Sequence, residues 1–205
     1  SVVFNHSKNG GSIMSNIKVL GIDLAKNVFQ VHGTDDSGKC VLRKKLSRNK
    51  LTEFMSNLPV CLVGMEACGG AHYWARLFKS MGHEVKMMAP QFVKPYVKSG
   101  KNDKNDSEGI AEAVTRPTMR FVSIKNIEQQ DVLLSHRCRE LVLKQRNALG
   151  NQIRGLLMEY GVVIPQGVGQ LKKLPEILEE NREKLSTKSI AVFIRLHEQL
   201  KELNK

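Results

Sequence analysis

The chain has 205 residues, 41% of them hydrophobic and 25% charged, which is enough to bury the core of one ordinary domain and to add a smaller second unit. The 32 Lys and Arg residues outnumber the 20 Asp and Glu residues, and the resulting net charge of +12 favours a polyanionic partner. The sequence contains no apolar run long enough to span a membrane and no signal-peptide pattern, so we expect a soluble, cytoplasmic protein that has no membrane partner.

The cysteines give no sign of a disulfide framework or a zinc site. Cys40, Cys61, Cys68 and Cys138 include no C-x-x-C pair, which indicates reduced thiols in a reducing compartment. Cys68 and His72 have a spacing that zinc ligands use, but a second pair is missing, so zinc is not expected.

The first part of the chain predicts a mixed sheet. Residues 1–16 are polar and aperiodic, and we interpret them as a disordered extension. Strands are predicted at residues 17–25, 27–33 and 40–46, and the first three strands are expected to be antiparallel because turn residues separate the second from the third. After a short helix over 47–57, the apolar run at 60–66 predicts a buried strand that lies parallel to the first.

A helix and another strand complete this pattern. The spacing of apolar residues predicts a helix over 71–81, and residues 84–89 predict a fifth strand. The order β-β-β-α-β-α-β, with an acidic residue in the first strand and one at the end of the fourth, is that of a ribonuclease-H-like α/β fold.

A basic segment follows over residues 90–101. Its aromatic residues alternate with Lys94, Lys98 and Lys101, a composition suited to a track for backbone phosphates, and Lys104 follows it closely. A solvated loop would have a similar composition, and both interpretations remain open. A helix is predicted next, over residues 103–115.

The last 80 residues are predicted to be helical. Residues 126–160 form one long amphipathic helix in which Val142, Leu149 and Leu156 follow a heptad spacing, so we predict a coiled coil that joins copies of the chain. Shorter helices are predicted over 171–180 and from residue 186.

Four carboxylates are expected to converge on one site. Asp23 interrupts the first strand, Glu66 ends the fourth, and Asp103 and Asp106 share one face of a helix because they are three residues apart. Such a set suits Mg²⁺ or Mn²⁺, and two metal ions can activate the attacking oxygen and stabilise the leaving oxygen in phosphodiester chemistry.

Each of these carboxylates also has a simpler interpretation. Asp103 can be an N-cap that Asp106 assists, and Glu66 can be an exposed strand end. Asp23 is harder to explain structurally, since a carboxylate within a strand lowers strand propensity. Glu108 is a weaker alternative as a metal ligand.

Four segments of the sequence carry a resemblance to a known family. GIDLAKNVFQVHG, GMEACGGAHYWA, APQFVKPYVKSGKNDKNDSEGIAEAVTRPTMRFV and QRNALGNQIRGLLMEYG resemble the transposases of the IS110 family of insertion sequences, nearest the IS1111 subgroup and related to the Piv invertases. The resemblance covers about residues 16–169. It implies a RuvC-like domain over 17–125, whose Mg²⁺-binding tetrad would be Asp23, Glu66, Asp103 and Asp106.

The resemblance also implies partners and an activity. The family excises and inserts DNA under the guidance of a structured bridge RNA, works as an oligomer, and has a second, C-terminal domain that carries a catalytic serine. We expect that domain to be absent from this chain, which would then be the N-terminal catalytic half plus a helical linker over 126–205. The alternative is a truncated, non-catalytic protein for nucleic-acid binding and oligomerisation. The sequence departs from the family at Ser107 and Gly109, where alanines are usual, and a glycine within a helix costs about 1 kcal/mol.

Overall fold

The computed structural model describes residue 14, residues 16–97 and residues 103–204. The predicted extension lies outside these residues except for two positions, and Met14 packs against the core. Lys98 and Lys101 of the predicted basic segment also lie outside them. For Asp103, Lys104 and Val168 only the backbone is described.

The chain divides into two compact units. The first unit ends at Asn126 and the second begins at Ile127. The first unit is an α/β structure and the second is entirely helical in its regular elements.

Six strands form one mixed sheet in the order β3-β2-β1-β4-β5-β6. The inner pairs β1–β4 and β4–β5 are parallel, whereas β1–β2, β2–β3 and β5–β6 are antiparallel. The predicted mixed α/β sheet is therefore confirmed. The strands are β1 Val19–Asp23, β2 Val28–Thr34, β3 Cys40–Ser47, β4 Leu62–Glu66, β5 Glu84–Met88 and β6 Phe121–Val122.

The five predicted strands all form, with ends that differ by at most two residues from the prediction. β6 was not predicted. It contains only two residues, which pair antiparallel with Met87 and Met88, and so short a strand has no detectable alternation of polar and apolar side chains.

Helices cover both faces of the sheet. α1 (Arg48–Asn57) and α2 (Ala71–Ser80) supply Leu51, Trp74 and Phe78 to the main core on one face. On the other face α4 (Asp103–Ala113) supplies Ile110 to a second cluster that includes Met88.

The predicted basic segment begins as a helix. α3 (Pro90–Val93) continues into a 3₁₀ turn, Lys94–Tyr96. Pro90 lies in the first turn of α3, where its fixed φ angle favours helix formation and its missing N–H group costs nothing. The sequence did not predict a helix in this segment, where a phosphate track and a solvated loop were the two interpretations.

Two glycines let α4 approach the sheet closely. A Cβ atom at Gly21 in β1 would clash with the carbonyl oxygen of Ser107 and lie 2.5 Å from the backbone nitrogen of Ala111. A Cβ atom at Gly64 in β4 would lie 2.8 Å from the Cβ atom of Val114. Side chains at these two positions would force the helix away from the strands.

The second unit packs three helices and two 3₁₀ turns around its own apolar core. The helices are α5 Ile127–Met158, α6 Leu174–Glu180 and α7 Thr187–Glu202, and the turns are Val168–Lys173 and Arg182–Lys184. The core is composed of Ile153, Leu157, Val162, Ile164, Leu171, Leu174, Leu178, Leu185, Phe193 and Leu200. No helix in the described part of the chain is both long and apolar enough to cross a membrane.

The long predicted helix forms, but the predicted coiled coil is not confirmed. α5 buries only Gly150, Ile153 and Leu157, which all lie in its last third. The heptad residues Val142 and Leu156 remain 39% and 37% exposed.

Candidate metal and nucleic-acid site

Two acidic residues lie side by side at one edge of the sheet. β1 and β4 are parallel neighbours whose register pairs Ile22 with Met65. The next residues along these strands are Asp23 and Glu66, each the last residue of its strand. Neighbouring parallel strands thus bring the first two predicted site residues together.

Helix α4 brings a third carboxylate to the same place. Successive residues of a strand point to opposite faces, so Asp23 shares a face with Gly21, and Glu66 shares a face with Gly64. α4 packs on that face over both glycines, and Asp106 immediately precedes Ser107, the residue whose carbonyl oxygen faces Gly21.

Asp23 and Asp106 both lie close enough to Glu66 to influence its titration. Burial raises the pKa of Glu66, and the negative charges of Asp23 and Asp106 raise it further. Each of the three groups came from a different element, so the fold gathers negative charge at this edge. A cation would reduce the repulsion, and a set made of carboxylate oxygens suits a hard divalent ion.

The fourth predicted ligand is Asp103. Its backbone forms the start of α4, three residues before Asp106, and its side chain lies outside the described part of the chain. Among the described side chains, no group of three His, Cys, Asp or Glu residues is close enough to hold a metal ion by itself. Mg²⁺ is commonly held by one or two carboxylates together with substrate phosphates, and the three interacting acids fit that manner of binding.

Cys68 borders the acidic edge. Its thiol lies 4.0 Å from the backbone oxygen of Leu24, and its pKa is raised by burial and by the charges of Glu66 and Asp23. The two ring nitrogens of His72 lie 3.2 Å and 3.4 Å from the backbone nitrogen and the Nζ atom of Lys125.

Glu108 belongs to a different place in the fold. Its Oε2 atom accepts a hydrogen bond from the Nη2 atom of Arg43 at 2.6 Å. Both residues line a cavity of about 660 Å³ that also contacts Lys18, which precedes β1, and Thr34, the last residue of β2. The amino end of β1 is opposite the end that carries Asp23, so Glu108 is not a fourth ligand at the acidic edge.

Of the four predicted phosphate-binding lysines, the structure describes the side chain of one. Lys94 is exposed at the start of the 3₁₀ turn that follows α3. Lys98 and Lys101 lie outside the described residues, and Lys104 is described only by its backbone. The ring of Tyr96 in the same turn lies under the guanidinium group of Arg116 at 5.5 Å, which joins the turn to the segment that follows α4.

Comparison with known proteins identifies the family. A sequence profile described as transposase, for the DEDD transposases of the IS110 type, matches residues 20–162. The chain is 52% identical over 148 residues to a probable family 20 transposase of Pseudomonas aeruginosa, covering 72% of this chain and 44% of that protein.

Two further relatives are transposases of named insertion sequences. The transposase of element IS1111A from Coxiella burnetii is 48% identical over 80% of this chain and 46% of that protein. The transposase of element IS1328 from Yersinia enterocolitica is 41% identical over 90% of this chain and 55% of that protein. The chain thus spans about half the length of the curated relatives it matches. Because the profile covers most of the chain, this protein belongs to the IS110 family of DEDD transposases.

Proposed function

We propose that this chain provides the RuvC-like, metal-binding part of a transposase that binds DNA and a structured guide RNA and cleaves and transfers DNA strands. The observation that carries the proposal is the placement of Asp23 and Glu66 at the neighbouring ends of β1 and β4, with Asp106 on the helix that packs over Gly21. The raised pKa of Glu66, which results in part from the charges of Asp23 and Asp106, supports it. Three antiparallel strands followed by two parallel ones, with acids ending β1 and β4, also fit a ribonuclease-H-like fold.

In this proposal, Asp23, Glu66, Asp103 and Asp106 bind Mg²⁺ or Mn²⁺. Asp23 and Glu66 are held by strand ends, and the packing of α4 against Gly21 fixes the position of Asp106 relative to them. When bound, the metal ions would activate the attacking oxygen and stabilise the leaving oxygen of a phosphodiester. The protein's own contribution is to hold the carboxylates together against their mutual repulsion.

The charge of the first unit supports a nucleic-acid substrate. Residues 1–125 carry +9 of the net charge of +12. Lys94, Lys98, Lys101 and Lys104 would contact phosphates beside the carboxylates, and the affinity should fall steeply with salt because each neutralised phosphate releases counterions. The structured guide RNA and the DNA would share this basic surface.

A role in assembly is proposed for the second unit. The first two thirds of α5 present apolar side chains to solvent, among them Val132, Leu134 and Leu141, each at least 56% exposed. A second copy of the chain would cover them, together with the heptad residues Val142 and Leu156, by forming the coiled coil. Sedimentation velocity of the wild type and a Leu141→Lys variant tests this, since the variant should dissociate without unfolding.

Thermal denaturation with and without divalent metal tests the carboxylate site. Mn²⁺ or Mg²⁺ at millimolar concentration should raise the Tm of the wild type, because a ligand that binds only the folded state stabilises it. Asp23→Asn should abolish the shift. Glu53→Gln, which removes an exposed acid of α1, is the matched control and should keep the shift.

The same proteins distinguish the two functions considered for the sequence. If the wild type binds DNA but shows no metal-induced shift, the metal-dependent function is rejected and the non-catalytic alternative is favoured. If metal binds as expected, strand transfer is then assayed on element-end DNA with guide RNA and the remaining half of a full-length relative supplied in trans. A joined product that requires Asp23 would support the complete proposal.

A further inference from the structure

Two side chains suited to bind nucleic acid, Arg48 and Tyr73, lie at the same edge of the sheet as the acids. Arg48 is the first residue of α1, which follows β3, and Tyr73 lies in the first turn of α2, which follows β4. β3 and β4 run in the same direction as β1, because β2 is antiparallel to both β1 and β3 and β4 is parallel to β1. Arg48 and Tyr73 therefore lie at the edge where β1 and β4 end on Asp23 and Glu66.

Arg48 is a positive charge held in a defined position. Its guanidinium carbon lies 4.9 Å from the ring centroid of Trp74 and 5.7 Å from that of Tyr73. Stacking on two rings orders a guanidinium group but leaves its charge intact. α1 has no acidic residue in its first turn, and the ion pairs between described residues do not include Arg48. The group is thus suited to bind a phosphate.

Tyr73 is an exposed aromatic ring on a rigid support. Its side chain is 49% exposed, and the ring contacts the buried ring of Trp74 edge-on at 5.3 Å with an angle of 75° between the planes. Trp74 in turn lies 5.0 Å from Phe29 near the start of β2. An exposed ring anchored in this way can stack on a base that has no pairing partner.

An open path leads from the acids to this pair. The chain between Glu66 and α2 passes through Gly69 and Gly70, which are exposed and where an added Cβ atom would meet nothing within 4 Å. The thiol of Cys68, just before these glycines, lies near the backbone oxygen of Leu24, the residue after Asp23. A nucleic-acid backbone can therefore pass closely over the glycine turn.

We propose that Arg48 and Tyr73 bind an unpaired segment of the DNA strand at the end of the sheet that carries the carboxylates. Tyr73 stacks on one base and Arg48 contacts a neighbouring phosphate. This inference rests on the proposed function, since it places the pair along the strand on which the carboxylates act. It assigns Arg48 and Tyr73 as substrate-binding residues.

Fluorescence anisotropy with a fluorescein-labelled single strand of thymidines tests the inference, in EDTA so that metal binding does not contribute. Tyr73→Ala should weaken binding by about fivefold or more, whereas Tyr73→Phe should retain the affinity of the wild type. Arg48→Gln should make the dependence of log K on log salt shallower by about 0.7, the value for one lost phosphate contact on a single strand. Lys79→Ala removes a charge at the other end of α2 and should change neither quantity.

Two outcomes would overturn the inference. One is that Tyr73→Ala and Arg48→Gln, both folded by circular dichroism, bind the strand with the affinity and salt dependence of the wild type. The other is that the wild type shows the metal-induced Tm shift but no single-strand binding. If Tyr73→Ala does not fold, the inference is tested by the salt dependence of single-strand binding by Arg48→Gln. If single-strand binding depends on both residues but metal does not raise the Tm, the carboxylate site is rejected and the contact of Arg48 and Tyr73 with the strand is established.

Discussion

The carbonyl oxygen of Ser107 occupies the space that a Cβ atom would need at Gly21. This contact joins β1, two residues before Asp23, to α4, one residue after Asp106. The distance between the two acids therefore depends on the absence of a side chain at Gly21.

Gly21→Ala should destabilise the first unit and weaken metal binding together. The added methyl group meets backbone atoms, which cannot rotate away, so we expect a loss of about 3 kcal/mol in the free energy of unfolding, at the upper end for overpacked cores. Gly69→Ala is the control, with a change within about 0.5 kcal/mol, because its Cβ atom would meet open space. Urea denaturation measures the free energy of unfolding of both variants. Equal stability of Gly21→Ala and Gly69→Ala would contradict the close approach of α4 to β1.

Glu66→Gln should raise the Tm of the metal-free protein at neutral pH and abolish the response to Mn²⁺. The pKa of Glu66 is raised in the folded state, so this state binds the proton more tightly than the unfolded chain does. Stability consequently falls as the pH rises above the usual pKa of a glutamate, and a neutral amide removes that loss. Denaturation from pH 4 to pH 7 should show a smaller decline for the variant, and an identical decline would contradict the assignment.

Gly109→Ala should not increase the free energy of unfolding by the amount that helix propensity predicts. The alanine favours the helix by about 1 kcal/mol, but its Cβ atom would lie 2.9 Å from a methyl group of Val97 and 3.2 Å from the backbone of Tyr96. We expect the substitution to be neutral or destabilising in the wild type and stabilising in a Val97→Ala background. A double-mutant cycle of unfolding free energies measures this, and the same gain in both backgrounds would show that the contact is unimportant.

His197 should make the helical unit sensitive to acid. Its side chain is buried, and burial followed by the charge of Lys201 lowers its pKa, while Glu198 and a hydrogen bond with the backbone of Leu171 oppose the shift. The folded state therefore binds the proton less tightly than the unfolded chain, and stability is lost as the pH falls below the usual histidine pKa of about 6.5. His197→Gln should reduce the loss between pH 7 and pH 5 in thermal denaturation, whereas the exposed His136→Gln should not.

The thiol of Cys61 should be unreactive in the folded protein. Burial raises its pKa to about 12, and a thiol reacts with alkylating reagents as the thiolate. Iodoacetamide at pH 8 should modify the exposed Cys40 and Cys138 first and Cys61 only in denaturant. Mass spectrometry of the digested protein follows the four sites, and rapid labelling of Cys61 in the native state would contradict its burial.

The sequence predicted the elements that carry the acids because each has a strong local signal. The apolar residues around Asp23 and before Glu66 define strands by themselves, so the pairing of their ends followed from the order of elements. The close packing of α4 on the strand glycines could not be predicted, since a glycine within a strand is equally consistent with a bulge. The contacts of Glu108 and Arg48 join residues far apart in sequence, and charge pattern alone does not specify such partners.

Within its own unit, helix α5 packs on the apolar core through its last third, and this has a consequence for its amide protons. At 1.5 Å per residue the 32 residues of the helix extend for about 48 Å. A helical segment without tertiary contacts is marginally stable in water, so the turns before Gly150 gain little protection from their own unit. In residues 127–205 alone, hydrogen exchange would be fast along those turns and slow around Ile153 and Leu157. Slow exchange in the first turns of the complete assembly would therefore report directly on whatever covers them.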